Sequence, residues 1–115
     1  MEKGQFDDAI ADFNKALELI PNDAFAYKQR GFAKITNYEK FQKGDLADAL
    51  ADFKKFIKLK PNDDADAYKI CGDIEGLKGD INAAQADFKE AIKLNPKIQL
   101  SDESKKILTN GINSN

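Results

Sequence analysis

Gly44-Asp45-Leu46-Ala47-Asp48-Ala49-Leu50-Ala51-Asp52-Phe53 reads as a tight turn running into a helix, and the pattern occurs three times. Its counterparts are Gly4-Gln5-Phe6-Asp7-Asp8-Ala9-Ile10-Ala11-Asp12-Phe13 and Gly79-Asp80-Ile81-Asn82-Ala83-Ala84-Gln85-Ala86-Asp87-Phe88. Each continues to a proline by one path: Ala16-Leu17-Glu18-Leu19-Ile20-Pro21, Phe56-Ile57-Lys58-Leu59-Lys60-Pro61 and Ala91-Ile92-Lys93-Leu94-Asn95-Pro96. The alanine four residues ahead of the aromatic puts a small side chain and a ring on one helical face. A partner helix can then approach closely at the alanine. The leading glycines, Gly4, Gly44 and Gly79, lie 40 and 35 residues apart.

Between these segments, Ala26-Tyr27-Lys28-Gln29-Arg30-Gly31 matches Ala67-Tyr68-Lys69-Ile70-Cys71-Gly72. Both put a glycine inside a helical pattern, where it costs up to ~1 kcal/mol, so close packing is the reason to keep it. The prolines stop the preceding helices, and Asn22-Asp23 and Asn62-Asp63-Asp64 offer N-caps for the next.

Taken together, these residues make residues 4 to 98 resemble the tetratricopeptide repeat (TPR) family, whose repeat unit is a pair of antiparallel helices, A and B. An aromatic and a glycine mark helix A, Ala-x-x-x-Phe/Tyr marks helix B, and a proline closes the unit. Ala9/Phe13/Pro21, Tyr27/Gly31/Ala49/Phe53/Pro61 and Tyr68/Gly72/Ala84/Phe88/Pro96 fill those positions. The resemblance implies an all-α superhelix of antiparallel helix pairs. It divides a single domain, 1–115, into a half repeat with helix B only (4–22), a full repeat with an insertion near 36–42 (23–62), a full repeat (63–98) and a capping helix (101–110).

Three departures from the family pattern carry expectations. The stripe Phe6, Ile10, Phe13 and Leu17 on the first helix lacks the cover of a helix A ahead of it. The chain is then a fragment of a longer array, or a second chain covers the stripe, and the two are compatible. The insertion, Ile35 to Lys43, is read as a longer helix A that frays around Asn37. It is taken as a surface addition in preference to a partner contact through Tyr38 and Phe41. Arg30 stands where the family places an apolar core residue, and a half-buried guanidinium needs a carboxylate. Asp52 of its own repeat, or Asp12 of the one before, is the expected structural partner. Cys71 holds the equivalent place in the next repeat as a small core residue.

The tail begins with Ser101-Asp102-Glu103, suited to a helix start. Ile107 and Leu108 are expected on the last helix B, and Gly111 to Asn115 frayed.

The family holds an extended peptide or a partner helix in a concave groove lined by its A helices. By resemblance the groove residues are Phe25, Lys28, Gln29, Phe32 and Ile35 in one repeat, with Asp66, Lys69, Ile70, Asp73 and Leu77 in the next. One subclass clamps the carboxylate of chaperone tails. Phe32 stands where that clamp expects an asparagine, and Asp66 and Asp73 repel a carboxylate, so this type of binding is not expected. A ligand with apolar side chains and some positive charge suits the surface better.

Composition excludes other classes. Eighteen basic and 20 acidic residues give a net charge of −2, with no basic block to follow nucleic acid. Apolar runs are too short for a membrane span. Histidine is absent and the single cysteine forms no internal disulfide. No phosphate loop, metal cluster or nucleophile–base pair is visible, so no catalytic residue, metal or cofactor is expected. Met1–Gln5 has no apolar leader segment, which favours the cytoplasm, with the compartment itself unassigned. The expectation is therefore a protein–protein interaction scaffold. The alternative is a self-associating assembly protein, its repeats stacked end to end or its first helix covered in a homodimer.

Overall fold

The computed structural model describes residues 4–113, and the side chains of residues 4–109. Among the described residues are six helices and no strand: α1 (Gln5–Leu19), α2 (Ala24–Phe41), α3 (Leu46–Leu59), α4 (Ala65–Leu77), α5 (Ile81–Leu94) and α6 (Asp102–Asn113). The all-α class read from the sequence is the observed one. Residues 1–60 form one compact unit and residues 61–115 another.

The helix starts follow from aspartates. Asp23, Asp45, Asp64 and Asp80 stand ahead of α2, α3, α4 and α5, and each accepts from a first-turn backbone N–H. Such a cap satisfies a donor that the helix leaves unpaired and is worth ~1 kcal/mol. The ends of α1, α3 and α5 repeat one geometry, with Ile20, Lys60 and Asn95 donating to Ala16, Phe56 and Ala91 at 2.9, 2.8 and 2.9 Å. A proline follows each of these residues and prevents continuation.

In the first unit α3 packs against α2, and in the second α5 packs against α4. The turns that fold each pair back pass through Gly44 (φ 80°) and Gly79 (φ 84°). That left-handed backbone is held without strain by a residue lacking Cβ. The ring of Phe53 then lies on the backbone of α2 at Gly31, and the ring of Phe88 on α4 at Gly72. A Cβ added at Gly31 would stand 2.7 Å from the Phe53 ring, and one at Gly72 would stand 2.5 Å from that of Phe88. Both rings are fully buried, as are Ala49 and Ala84 one turn earlier. Burial of such a side chain contributes roughly 1.5–3 kcal/mol. The tyrosine one turn before each inner glycine anchors the pair to the turn ahead of it. Tyr27 donates to the Pro21 carbonyl at 3.2 Å and Tyr68 to that of Pro61 at 2.8 Å.

The insertion differs from its sequence reading. It does lengthen helix A, to 18 residues in α2 against 13 in α4, but α2 does not fray at Asn37. Asn37 is buried, and its amide donates to Asp7 of α1 at 2.9 Å. Lys43, just beyond the helix, forms an ion pair with the same carboxylate. The Phe41 ring meets Phe6 at 6.2 Å between centroids. The extra turn is thus held by contacts to α1, and it supplies cover that the sequence reading found missing. Phe6 and Leu17 are buried within the chain, leaving Ile10 and Phe13 partly exposed. At the other end, α6 runs past residue 110 to Asn113, so the expected fraying at Gly111 is not seen; Ser114 and Asn115 lie outside the described residues.

Gly31→Ala and Gly72→Ala should each destabilise the protein by about 1–3 kcal/mol, because the new methyl group meets a ring with no room to retreat. Gly76→Ala is the control. Its Cβ would meet only the flexible end of Ile107, at 2.8 Å. It should be neutral or stabilising by up to ~1 kcal/mol. Urea unfolding midpoints decide the matter, and equal midpoints for all three variants would remove the ring contact as a constraint.

Candidate binding faces

Arg30 shows how the first unit is locked. Its Nε and Nη2 donate to Oδ2 and Oδ1 of Asp52 at 2.9 and 2.6 Å, a two-pronged match of guanidinium and carboxylate. Its third arm, Nη1, donates to Asn14 Oδ1 of α1 at 2.9 Å. One side chain of α2 therefore ties α1 to α3. Asp12, the other partner the sequence allowed, is exposed on α1. Lys34 adds a second cation 3.0 Å from Asp52, whose side chain is only 4% exposed. The bond to Asp52 raises the Arg30 pKa against the opposing effect of burial, so the guanidinium stays charged. In the second unit Cys71 takes the corresponding place and is fully buried.

α2 carries the first set of residues that the resemblance assigns to a groove. Phe25 is 64% exposed and Phe32 is 40% exposed, unusual values for phenylalanine. Phe32 also has a packing role, since its ring meets Phe53 edge-on at 5.0 Å. Lys28 lies with its ammonium 4.9 Å above the Phe56 ring. Gln29 and Ile35 are partly exposed on the same helix. The five residues thus give an aromatic strip with a lysine held over a ring.

The second set, on α4, has a different surrounding. Asp66 is exposed, and Lys69 and Ile70 are partly so. Asp73 accepts a hydrogen bond from the Ser104 hydroxyl of α6 at 2.9 Å. Burial pushes its carboxyl pKa up, while Ser104 and Lys69 oppose that shift. Leu77 stays 77% exposed. The sequence placed Ile107 and Leu108 on the preceding helix B, whereas α6 reaches both helices of the unit. Ile107 approaches Gly76 of α4, and its carbonyl accepts from Gln85 of α5 at 2.9 Å. Ser104 was missed in the sequence reading. The available signal was its spacing from Ser101, which caps the helix by accepting from the Ser104 N–H at 3.1 Å.

Among the described residues, two hollows stand out. One of about 340 Å³ in the first unit is bordered by Lys34, Lys43 and Asp7, and both lysines are already engaged with carboxylates. The other, of about 540 Å³, lies in the second unit beside Asp73, Leu77 and α6. Among the described residues, no group of three or more His, Cys, Asp or Glu side chains is placed to hold a metal ion. No described helix is long and apolar enough to cross a membrane.

Comparison with known proteins gives a consistent result. A family model described as TPR repeat matches residues 1–37, and one described as tetratricopeptide repeat matches residues 38–63 and 65–98. Among solved structures, that of MamA is similar with a TM-score of 0.68 and 32% identity, over 82% of this chain and 51% of that one. The chain thus spans about half the length of that protein. A comparison with curated proteins gives no match.

Arg30→Ala should cost about 2–4 kcal/mol by leaving the buried Asp52 short of its best partner. Arg30→Met combined with Asp52→Leu removes both charges but takes the partners of Asn14 and Lys34 away with them, so it should recover only part of that loss, and a double variant as stable as the unmodified chain would show that the wider network adds nothing. Asp73 supplies a pH test. Because the fold raises its pKa above the ordinary 3.8, its contribution is full below that value and is lost as pH rises through the raised one. Asp73→Asn keeps an acceptor for Ser104 and removes the titration. Its stability relative to the unmodified chain should therefore rise from about pH 3 to about pH 7; a pH-independent difference would contradict the burial effect.

Proposed function

The chain belongs to the tetratricopeptide repeat family, and from that premise we propose that its role is to hold a peptide or partner helix on the exposed faces of its A helices. Membership supports a general protein-interaction scaffold. The finer reading, with the α2 face as the first contact surface, is carried by the exposure of Phe25 and Phe32 on one helix beside Lys28. Two exposed phenylalanines seven residues apart, two helical turns, suit a helical or extended ligand that offers apolar groups at matching intervals. The carboxylate-clamp mode has little support, since Phe32 and Asp73 stand at positions that mode needs to be polar or uncharged.

Self-association is the competing reading. Leu19 and Ile20, at the end of α1, are 84% and 59% exposed and favour it. Burial of Phe6 and Leu17 within the chain weighs against a homodimer formed through the rest of that helix.

The test combines Phe25→Ser and Lys28→Glu, both outside the buried core. Partner recovery in an affinity pull-down should fall by about tenfold, as expected for loss of an aromatic anchor, while the helical circular dichroism stays unchanged. Sedimentation of the same samples should give a monomer. Full recovery by the double variant would remove the α2 face from the reading, and a dimer dispersed by Leu19→Ser would favour self-association.

A further inference from the structure

The hollow of about 340 Å³ in the first unit shares no residue with either set of groove positions. α1 contributes Asp7 and Ile10 to its lining, α2 contributes Lys34 and Asn37, and the turn into α3 contributes Lys43, Asp45 and Asp48. Asn37 is only 4% exposed, and its carbonyl oxygen Oδ1 meets no donor among the described residues. The other edge of the amide fixes which way it faces. Nδ2 donates to Asp7 at 2.9 Å, and a reversed group would set oxygen against carboxylate. Both residues border the hollow, so a donor that meets this oxygen arrives through it. A buried acceptor left unmet is costly, and whatever supplies the missing N–H or O–H recovers that cost.

The charges around that oxygen favour a cation. Lys43 pairs with Asp7, and Lys34 with Asp52, which also holds Arg30. Asp45 engages one oxygen with the Ala47 N–H as the cap of α3. Asp48 is exposed and has no cation paired to it among the described residues. Asp7, Asp45, Asp48 and Asp52 therefore face Lys34, Lys43 and Arg30, an excess of one negative charge. Ile10, partly exposed, adds an apolar surface for an alkyl stem.

We infer that this hollow binds an alkylguanidinium, which donates to Asn37 Oδ1 and whose charge is balanced by Asp45 and Asp48. A guanidinium is planar, carries several N–H donors and sheds water more readily than an ammonium. Those properties suit a partly enclosed space at the low end of the ~300–1,000 Å³ range of ligand pockets. Lys34 and Lys43 stay turned to their own carboxylates. The group belongs to an arginine of a partner segment or to a free guanidino compound. The inference goes beyond the scaffold reading and does not rest on it.

Three small probes titrated into the nitrogen-15-labelled full chain test it, with sodium chloride at matched ionic strength as the blank. Ethylguanidinium carries both donors and charge, ethylurea the donors alone, and tetramethylammonium the charge alone. Ethylguanidinium should shift the Asn37 side-chain amide and the backbone amides of Gly44 and Asp48. Its affinity should be about fivefold above that of the other two, the scale of one partly screened charge pair. Asp48→Asn should reduce the preference for ethylguanidinium over ethylurea, with helical content unchanged. Phe25→Ser should leave the shifts as they are. Acetyl-Gly-Arg-Gly-amide separates the two sources: binding tighter than that of ethylguanidinium supports an arginine of a partner segment, and weaker binding supports a free compound. Equal response to the three small probes, no response at millimolar concentration, or shifts that spare Asn37 would each overturn the proposal. Any of these would make a water molecule the donor to Asn37 and leave the scaffold reading standing.

Discussion

The phenyl ring of each B helix rests on a glycine of its A helix, and much of the architecture follows from that contact. Phe53 on Gly31 and Phe88 on Gly72 leave no space for even one methyl group. They therefore set how near the two helices approach. The distance between the helices determines which neighbouring residues are enclosed, so Ala49 and Ala84 are small because the same approach closes over them. The tyrosines reach back to the Pro21 and Pro61 carbonyls only because the A helix starts at a fixed point after the turn. Aspartate caps fix that point. A local rule at each helix start and one steric rule between helices are enough to repeat the unit.

This logic explains what could be read from the sequence. The phase of Ala49 and Phe53, or of Ala84 and Phe88, is a one-dimensional record of a helix face, and the inner glycines record the face it meets. The prolines and aspartates record the ends. The course of Ile35–Lys43 was harder, because Asn37 has low helix propensity and the reason it stays helical lies thirty residues earlier, at Asp7. Propensity there is overruled by a side-chain bond between helices. Ser104 was hidden for the same reason. Nothing in its own neighbourhood announces a bond to Asp73, thirty-one residues back.

Arg30 and Cys71 occupy matching places and meet different needs. In the first unit three helices converge near that place, and the guanidinium spans from Asn14 to Asp52. A carboxylate as buried as Asp52 requires it, since its loss would strand a charge away from water. In the second unit a fully buried cysteine, small and uncharged, fills the site. An ion pair of this type adds little net stability over apolar packing, but its geometry is specific: α2 shifted by one turn would bring Lys34 to the place of Arg30 and lose the two-pronged match to Asp52 and the bond to Asn14. Its contribution is best understood as fixing the register of α2 against its two neighbours.

The steric rule constrains inward positions and is silent about outward ones. That silence is what lets the two units share a framework and differ in surface. On α2 the free positions hold Phe25 and Phe32; on α4 they hold Asp66 and Asp73. The divergence grows where a further helix is added. α6 engages Asp73 through Ser104 and leaves Leu77 in the open, turning a helix face into a cleft without altering the Phe88 contact beneath it. Binding character in such a chain can therefore change residue by residue, at little cost to folding, wherever the position lies outside the ring-on-glycine contact. Phe32 is the exception: its ring also packs on Phe53. A substitution there acts on the surface and the core together, which makes Phe25 the cleaner reporter of what the face binds.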